Sequence, residues 1–232
     1  MRGSFLLSVT ERAEALATQR LAGDLTTLAL GPTDASRREA GARLQKELLG
    51  PINVLTERWA TDARAIDALI AALGDSDDIV RVHAATCLGR AASAYRAEAR
   101  IGAALEPFLD HPSRGARMWA IEGVLATGEE SSLDLVLPLS SHADASTREA
   151  LMSALIRFSI SHPPSAPRRA QLCAAFVGAV GDAKRDVRIA GASGLRRVGD
   201  ASALGPLKAT LKKADNPIER EALRDAIKAL AP

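Results

Sequence analysis

Apolar residues recur along the chain at the spacing of one face of an α-helix, and short polar turns interrupt them at regular distances. One such face consists of Ile66, Leu69, Ile70 and Leu73. The polar turn 74–77 follows it, and a second helix is expected from Ile79 to Ala91. This pattern predicts a helical hairpin, that is, two helices joined by a short turn.

Six arginines recur at about the spacing of such a hairpin, and each is followed seven residues later by an aliphatic residue. These repeat arginines are Arg37, Arg81, Arg117, Arg148, Arg188 and Arg220, and the followers are Leu44, Leu88, Val124, Leu155, Leu195 and Ile227. Successive arginines are 44, 36, 31, 40 and 32 residues apart. Intervals of this size are typical of helical-hairpin repeats, which must stack to bury their apolar faces.

We therefore expect an all-α fold, a right-handed α-solenoid of about six stacked helical hairpins that forms a single domain over residues 1–232. The hairpins are expected at approximately residues 9–50, 51–95, 96–127, 128–161, 166–199 and 200–232. The first helix is expected from about Val9 to Leu30. Loops marked by proline, at residues 50–61 and 161–167, lengthen the period twice.

A residue that favours a helix N-terminus stands four positions before the repeat arginine in five of the six hairpins. These residues are Thr33, Asp77, Ser113, Asp144 and Asn216. The sixth hairpin has Lys184 at this position, and Asp182 is expected to take over the capping. The second helix of each hairpin should therefore begin just before its arginine.

The run LGDSDDIVRVHAATCLG at residues 73–89 resembles the HEAT repeat, especially the bacterial HEAT-like group that includes phycobilin lyase subunits. Residues 181–200 look the same, whereas the other hairpins keep the arginine and the aliphatic residue but lose the valine before the arginine. The resemblance covers roughly residues 22–231 and implies a stack of helical hairpins. It also implies a binding scaffold, since most proteins with this repeat bind partners of diverse kinds.

Helix geometry separates each second helix into a buried side and an open side, at 100° per residue. Counted from the repeat arginine, positions −1, +3, +4 and +7 are mainly aliphatic or small and are expected in the core. Positions +1, +2, +5 and +9 lie opposite and would line a concave groove. The groove residues that we expect to contact a partner are His83, Thr86, Arg90, Met118, Trp119, Glu122, Ser153, Arg157, Ser193 and Arg197.

Two interpretations of these open positions remain. They form a partner-binding groove with a basic row at +9, made of Lys46, Arg90, Arg157 and Arg197, or they are solvated positions around one partly buried tryptophan. The repeat arginines themselves lie at the edge of the core beside acidic turn residues. The resemblance implies that they bridge the turns of adjacent repeats, and hence that they are structural.

The net charge of +2 is unevenly distributed. Residues 101–164 carry four basic and eight acidic side chains, and residues 165–232 carry thirteen basic and seven acidic ones. A basic C-terminal third of this kind is compatible with binding to the phosphate backbone of a nucleic acid. The side chains available for it are Arg168, Arg169, Lys184, Arg185, Arg196, Arg197, Lys208, Lys212 and Lys213.

No motif of a catalytic, metal or cofactor site stands out. Cys87 and Cys173 are far apart and have no ligand spacing, and the four histidines have no histidine or cysteine at ligand spacing. The chain contains no His-Glu pair of the HEAT-like hydroxylases, and no nucleophile or phosphate-loop motif. We expect no enzyme activity, metal or cofactor, and a cytoplasmic location. Residues 1–4 could be an expression leader.

The sequence thus favours a non-enzymatic scaffold that binds a protein or peptide in its groove. A bilin-lyase or chaperone-like subunit, implied only by the resemblance, is one alternative. Nucleic-acid binding by the basic C-terminal third is the other.

Overall fold

The computed structural model describes the backbone of residues 9–49, 62–94 and 98–231, and the side chains of residues 19–46, 62–94 and 98–231. These ranges contain twelve α-helices, three short 3-10 helices and no strand. The expected loop at 50–61 and residues 1–4 lie outside them. The described chain forms two compact units, and the division falls after Gly123.

The first unit consists of consecutive hairpins. Its helices are α1 (Val9–Leu30), α2 (Asp34–Leu49), α3 (Ala63–Ala72), α4 (Asp78–Ala94), α5 (Ala99–Leu105) and α6 (Arg114–Ala126), the last of which contains the division between the units. The first helices of successive hairpins pack on one another, α1 on α3 and α3 on α5, and the second helix α2 packs on α4. The helices therefore form two layers, one of first helices and one of second helices.

The second unit repeats this arrangement. Its helices are α7 (Ser132–Val136), α8 (Ala145–Ser161), α9 (Ala166–Val180), α10 (Arg185–Val198), α11 (Leu204–Lys213) and α12 (Pro217–Leu230). The second helices α8, α10 and α12 pack side by side, and α9 packs on α11 in the other layer. The helical-hairpin architecture expected from the sequence is confirmed within each unit.

The second helices begin where the capping residues predict. Asp77 accepts the backbone N–H groups of Ile79 and Val80, and Asn216 accepts those of Ile218 and Glu219. Thr33 and Asp144 act in the same way. These bonds satisfy amide groups that a helix leaves free in its first turn. The expectation that Asp182 takes over the capping of α10 is wrong, because Asp182 accepts the N–H of Lys184, the residue before the helix, and the first turn of α10 has no side-chain cap.

The aliphatic residues that follow the repeat arginines form the core. Leu44, Leu88, Val124, Leu155 and Leu195 are buried, and Ile227 is half-buried in the last helix. The other positions predicted for the core are buried as well in α4 and α10, for example Val80 and Val187. The predicted register of the second helices is therefore confirmed.

Candidate binding surfaces

Each repeat arginine binds the turn in front of its own helix. In all six, Nη1 donates a hydrogen bond to the backbone carbonyl oxygen six residues earlier, over 2.6–3.4 Å. The acceptors are Gly31, Asp75, His111, His142, Asp182 and Ala214. A carbonyl in a turn has no partner within the helix, so the guanidinium stabilises the turn directly.

Three of these arginines also bridge to the next hairpin. Arg37 pairs with Asp75 at 2.7 Å, and Arg148 binds both carboxylate oxygens of Asp182 at 2.7 and 2.9 Å. Arg188 binds both carboxylate oxygens of Glu219, at 2.6 and 3.0 Å, and Glu219 is 0% exposed. The structural role that was expected for the repeat arginines is confirmed at these three positions.

The ion pairs shift the pKa of their carboxyl groups. The hydrogen bond from Arg148 holds the pKa of Asp182 below its ordinary value, although partial burial acts in the opposite direction. Asp77 behaves similarly: the hydrogen bond from Arg38 lowers its pKa to about 2 against the effect of burial, and the N–H of Val80 contributes. Both carboxylates are therefore ionised at neutral pH and hold adjacent repeats together.

The predicted partner residues of the first unit differ in their availability. His83 is half-buried, its ring lies against Gly41 of α2, and its Nδ1 contacts the side-chain oxygen of Gln45. Burial lowers the pKa of His83 below its ordinary value and thereby favours the neutral imidazole. Its ring thus joins α2 to α4 and offers only its remaining surface to a partner.

Thr86 does not face an open surface. It is 1% exposed, which contradicts its predicted place in the groove. The short threonine lies one helical turn from both His83 and Arg90, and residues at this spacing are neighbours on a helix surface. Gly89, also one turn from Thr86, packs against the backbone of Trp119, so this side of α4 is covered by the neighbouring helix α6 and is not open.

Arg90 and Trp119 form the most distinctive contact of this surface. The guanidinium carbon of Arg90 lies 5.8 Å from the centroid of the Trp119 ring, within the range of a cation–π interaction. Both side chains are half-buried, as are Met118 and Glu122 on the same helix as the tryptophan. We call Arg90, Met118, Trp119 and Glu122 the tryptophan patch.

Two glycines allow the residues of the tryptophan patch to lie together. Gly89 lies against the backbone of Trp119 so closely that a Cβ atom at this position would overlap the tryptophan carbonyl oxygen. Gly123 approaches the α-carbon of Gly89 and the side chain of Leu105 in the same way. The absence of side chains at these two glycines allows α4 and α6 to approach closely, which places Trp119 beside Arg90.

In the second unit, the predicted residues lie on the second helices α8 and α10. Arg157 and Arg197 are exposed, and Ser153 and Ser193 are half-buried. The Ser193 hydroxyl donates to the carbonyl oxygen of Ile189 at 2.9 Å and keeps its lone pairs for another donor. That these four residues form a binding surface remains a prediction.

Arg196 and Lys228 are also exposed on the second helices, although the sequence placed neither of them in the groove and considered Arg196 only for phosphate binding. Each stands eight residues after its repeat arginine, at 80° on the helical wheel, close to position +1 at 100°. The helical wheel that placed position +1 on the open side could therefore also have placed Arg196 and Lys228 there.

The four histidines of the chain take part in packing and turns. His111 stacks on Phe108 with 5.3 Å between ring centroids, and His162 lies against Gly128, which has a φ of +75°. Within the described ranges no group of three or more histidine, cysteine or acidic residues could hold a metal ion. Cys87 and Cys173 are buried and free, and burial raises the pKa of both thiols.

Among the described helices, none combines the length and the apolarity that are needed to cross a membrane.

Comparison with protein families confirms the resemblance that the sequence suggested. A family model described as HEAT repeats matches residues 66–156, which include the tryptophan patch. No curated protein matches the sequence.

Solved structures confirm the all-α helical-repeat solenoid as the fold class. A designed armadillo repeat protein in complex with the peptide (KR)4 superposes with a TM-score of 0.67 at 16% identity, over 92% of this chain and 98% of that chain. Computationally designed armadillo repeat proteins for modular peptide recognition give 0.66 at 15% identity, over 93% and 98%. An engineered protein gives 0.66 at 14% identity, over 92% and 95%.

Proposed function

We propose that this chain is a non-enzymatic helical-repeat scaffold that binds a protein or peptide partner on the open side of its second helices. The observation that carries the proposal is the contact between Arg90 and Trp119 on neighbouring second helices. Tryptophan and arginine are, with tyrosine, the residues most enriched among those that dominate binding energies at protein interfaces.

The geometry of the tryptophan patch supports this function. The cation–π contact restrains the Trp119 ring, and the close approach at Gly89 fixes the backbone that carries it, so little side-chain entropy is lost when a partner covers the ring. The patch also combines an apolar side chain, Met118, with a carboxylate, Glu122. Such a mixture suits a peptide that has an apolar anchor and a polar flank.

The fold supports the proposal in a more general way. The similar designed armadillo repeat proteins include one in complex with a peptide and others made for peptide recognition. A second-helix layer of this kind presents successive, nearly parallel helices, and their variable side chains can differ without a change to the core. We therefore assign the variable positions of this chain to recognition and the repeat arginines to stability.

The test is a selection from a displayed library of random peptides with the full chain as bait. Clones that bind are then challenged with two variants, Trp119→Ala and Leu30→Ala. Leu30 is a matched control because it is an apolar residue, 80% exposed, at the end of α1 in the first-helix layer of the same unit. We expect clones that lose binding to Trp119→Ala and keep it with Leu30→Ala, provided that circular dichroism shows both variants folded.

Failure to recover any binding clone, or equal binding by the wild type and Trp119→Ala, would contradict the assignment of the tryptophan patch.

A further inference from the structure

Basic side chains line one end of the second-helix face in the second unit. The basic row, as we call it, comprises Arg157 on α8, Arg196 and Arg197 on α10, and Lys228 on α12, all of them exposed. Arg157 and Arg197 are nine residues past their repeat arginines, and Arg196 and Lys228 are eight residues past theirs. Because α8, α10 and α12 pack side by side, equal positions on them lie next to one another.

A contact between helices shows that this part of the face is continuous. Arg196 Nη1 lies 3.9 Å from Asp225 Oδ2 across the α10–α12 boundary, and both side chains are more than half exposed. Asp225 offsets one charge of the row. Asp200, after the end of α10, accepts the N–H of Ser202 at 2.8 Å and thereby begins the next hairpin. The four basic side chains of the row outnumber the carboxylate of Asp225.

The surface beside the basic row is made of short side chains. Positions +2 and +5 of α8 and α10 are occupied by Ala150, Ser153, Ala190 and Ser193, which are half-buried. A peptide backbone can approach such a floor closely. The Ser193 oxygen, whose proton is donated to Ile189, can accept an N–H from that backbone.

The opposite end of the same face is acidic. Glu149 on α8 and Glu221 on α12 stand directly after their repeat arginines and are exposed. They lie eight residues before the +9 position, which is about 12 Å along a helix. A broad polyanion laid over the face would bring its negative charges against these carboxylates. A narrow chain that follows the basic row avoids them.

We propose that the second-helix face of the second unit binds an acidic, extended segment of a protein partner. This inference rests on the proposed function and names the chemistry of the partner. The carboxylates of the segment pair with the basic row, and its backbone lies over the short side chains of α8 and α10. Charge complementarity favours an acidic peptide, and Glu149 and Glu221 disfavour a nucleic acid.

The test uses the full chain and a fluorescent peptide of alternating glutamate and serine, with binding followed by fluorescence anisotropy. The same peptide with glutamine or lysine in place of glutamate, a single-stranded oligonucleotide and a DNA duplex serve as competing probes. The variant Arg157→Ala/Arg197→Ala removes two charges from the row. Lys212→Ala/Lys213→Ala removes two charges from exposed lysines of α11 in the other layer and is the matched control.

We expect the glutamate peptide to bind, and the glutamine and lysine peptides to bind at least about tenfold more weakly. The row variant should lose about tenfold in affinity and the α11 variant less than about twofold. Affinity should also fall as salt is raised from low to physiological concentration.

Equal binding of the glutamate and glutamine peptides, equal loss in both variants, or tighter binding of either nucleic acid would overturn the inference. The library selection described above separates this failure from failure of the proposed function. Clones that depend on Trp119 but show no acidic enrichment would leave the scaffold function standing and remove the acidic partner. A selection without binding clones would contradict both.

Discussion

Asp75 and His111 hold the same position in consecutive turns of the first unit, although one is a carboxylate and the other an imidazole. Each stands six residues before a repeat arginine and accepts the backbone N–H two residues later, at 2.8 Å for Asp75 and 3.0 Å for His111. His142 and Asp182 repeat this bond in the second unit. The turn requires a hydrogen-bond acceptor at this position and tolerates two chemistries for it.

This equivalence predicts how substitutions at His111 behave. His111→Ala removes the acceptor for the Ser113 N–H and should lower the free energy of unfolding by about 1 kcal/mol more than His111→Asn, which keeps a side-chain oxygen. Both variants lose the stacking on Phe108, so their difference isolates the acceptor. Urea denaturation measures the difference in unfolding free energy between the two variants. Equal stability of the two would show that the turn does not require a side-chain acceptor at this position.

The buried ion pair of the second unit should be a main determinant of stability. Glu219→Ala leaves Arg188 without its bidentate partner, and we expect a loss of about 3 kcal/mol in the free energy of unfolding. Glu221→Ala, at an exposed glutamate on the same helix, should change it by less than about 0.5 kcal/mol. Similar losses in both variants, by denaturant titration, would show that the burial of Glu219 has no special effect.

Two helix glycines should respond in opposite ways to substitution by alanine, because only one of them lies where two helices approach closely. Gly89→Ala forces a methyl group onto the Trp119 carbonyl oxygen and should destabilise the protein by about 1–3 kcal/mol. Gly178→Ala, in α9, places its methyl group in open space and should stabilise the protein by about 0.5–1 kcal/mol. Thermal unfolding followed by circular dichroism tests both, and stabilisation by Gly89→Ala is the contrary result.

Asp77 predicts a dependence of stability on pH. Its pKa is about 2 in the folded protein, against an ordinary value of 3.8, so its contribution is complete above pH 3.8 and is lost as the pH falls to about 2. Asp77→Asn keeps a capping oxygen and removes the charge. The variant should be less stable than the wild type at pH 7, and the difference should disappear near pH 2. A difference that stays constant across this range would contradict the ion pair with Arg38.

The contact between Arg90 and Trp119 can be measured by a double-mutant cycle. The single variants Arg90→Ala and Trp119→Ala and the double variant should give a coupling of about 0.5–1 kcal/mol in the free energy of unfolding. Additive effects would mean that the two side chains do not stabilise each other, and the preorganisation of the tryptophan patch would then lack support.

Much of the fold could be predicted from the sequence because the repeat is local. The spacing between Arg81 and Leu88, for example, contains the register of a second helix, and Asp77 marks where that helix begins. Both signals lie within one hairpin. The pattern therefore identified α1 from Val9 to Leu30 and the buried side of α4 and α10.

The surfaces could be predicted less well because they depend on contacts between hairpins. A helical wheel places Thr86 on the open side, but the wheel ignores the neighbouring helix, and the structure buries this residue. The contact of the His83 ring with α2 is made at Gly41, which is 42 residues earlier in the chain. The spacing of residues within one helix contains no information on such a contact.

The affinity of a selected peptide for the wild type and for Trp119→Ala tests the central claim most directly, with Leu30→Ala, on a first helix, as the control. If the second helices form the binding surface, Trp119→Ala should weaken binding about tenfold or more, and Leu30→Ala should leave it within about twofold. Equal dissociation constants for the wild type and Trp119→Ala, with both proteins folded, would contradict the account.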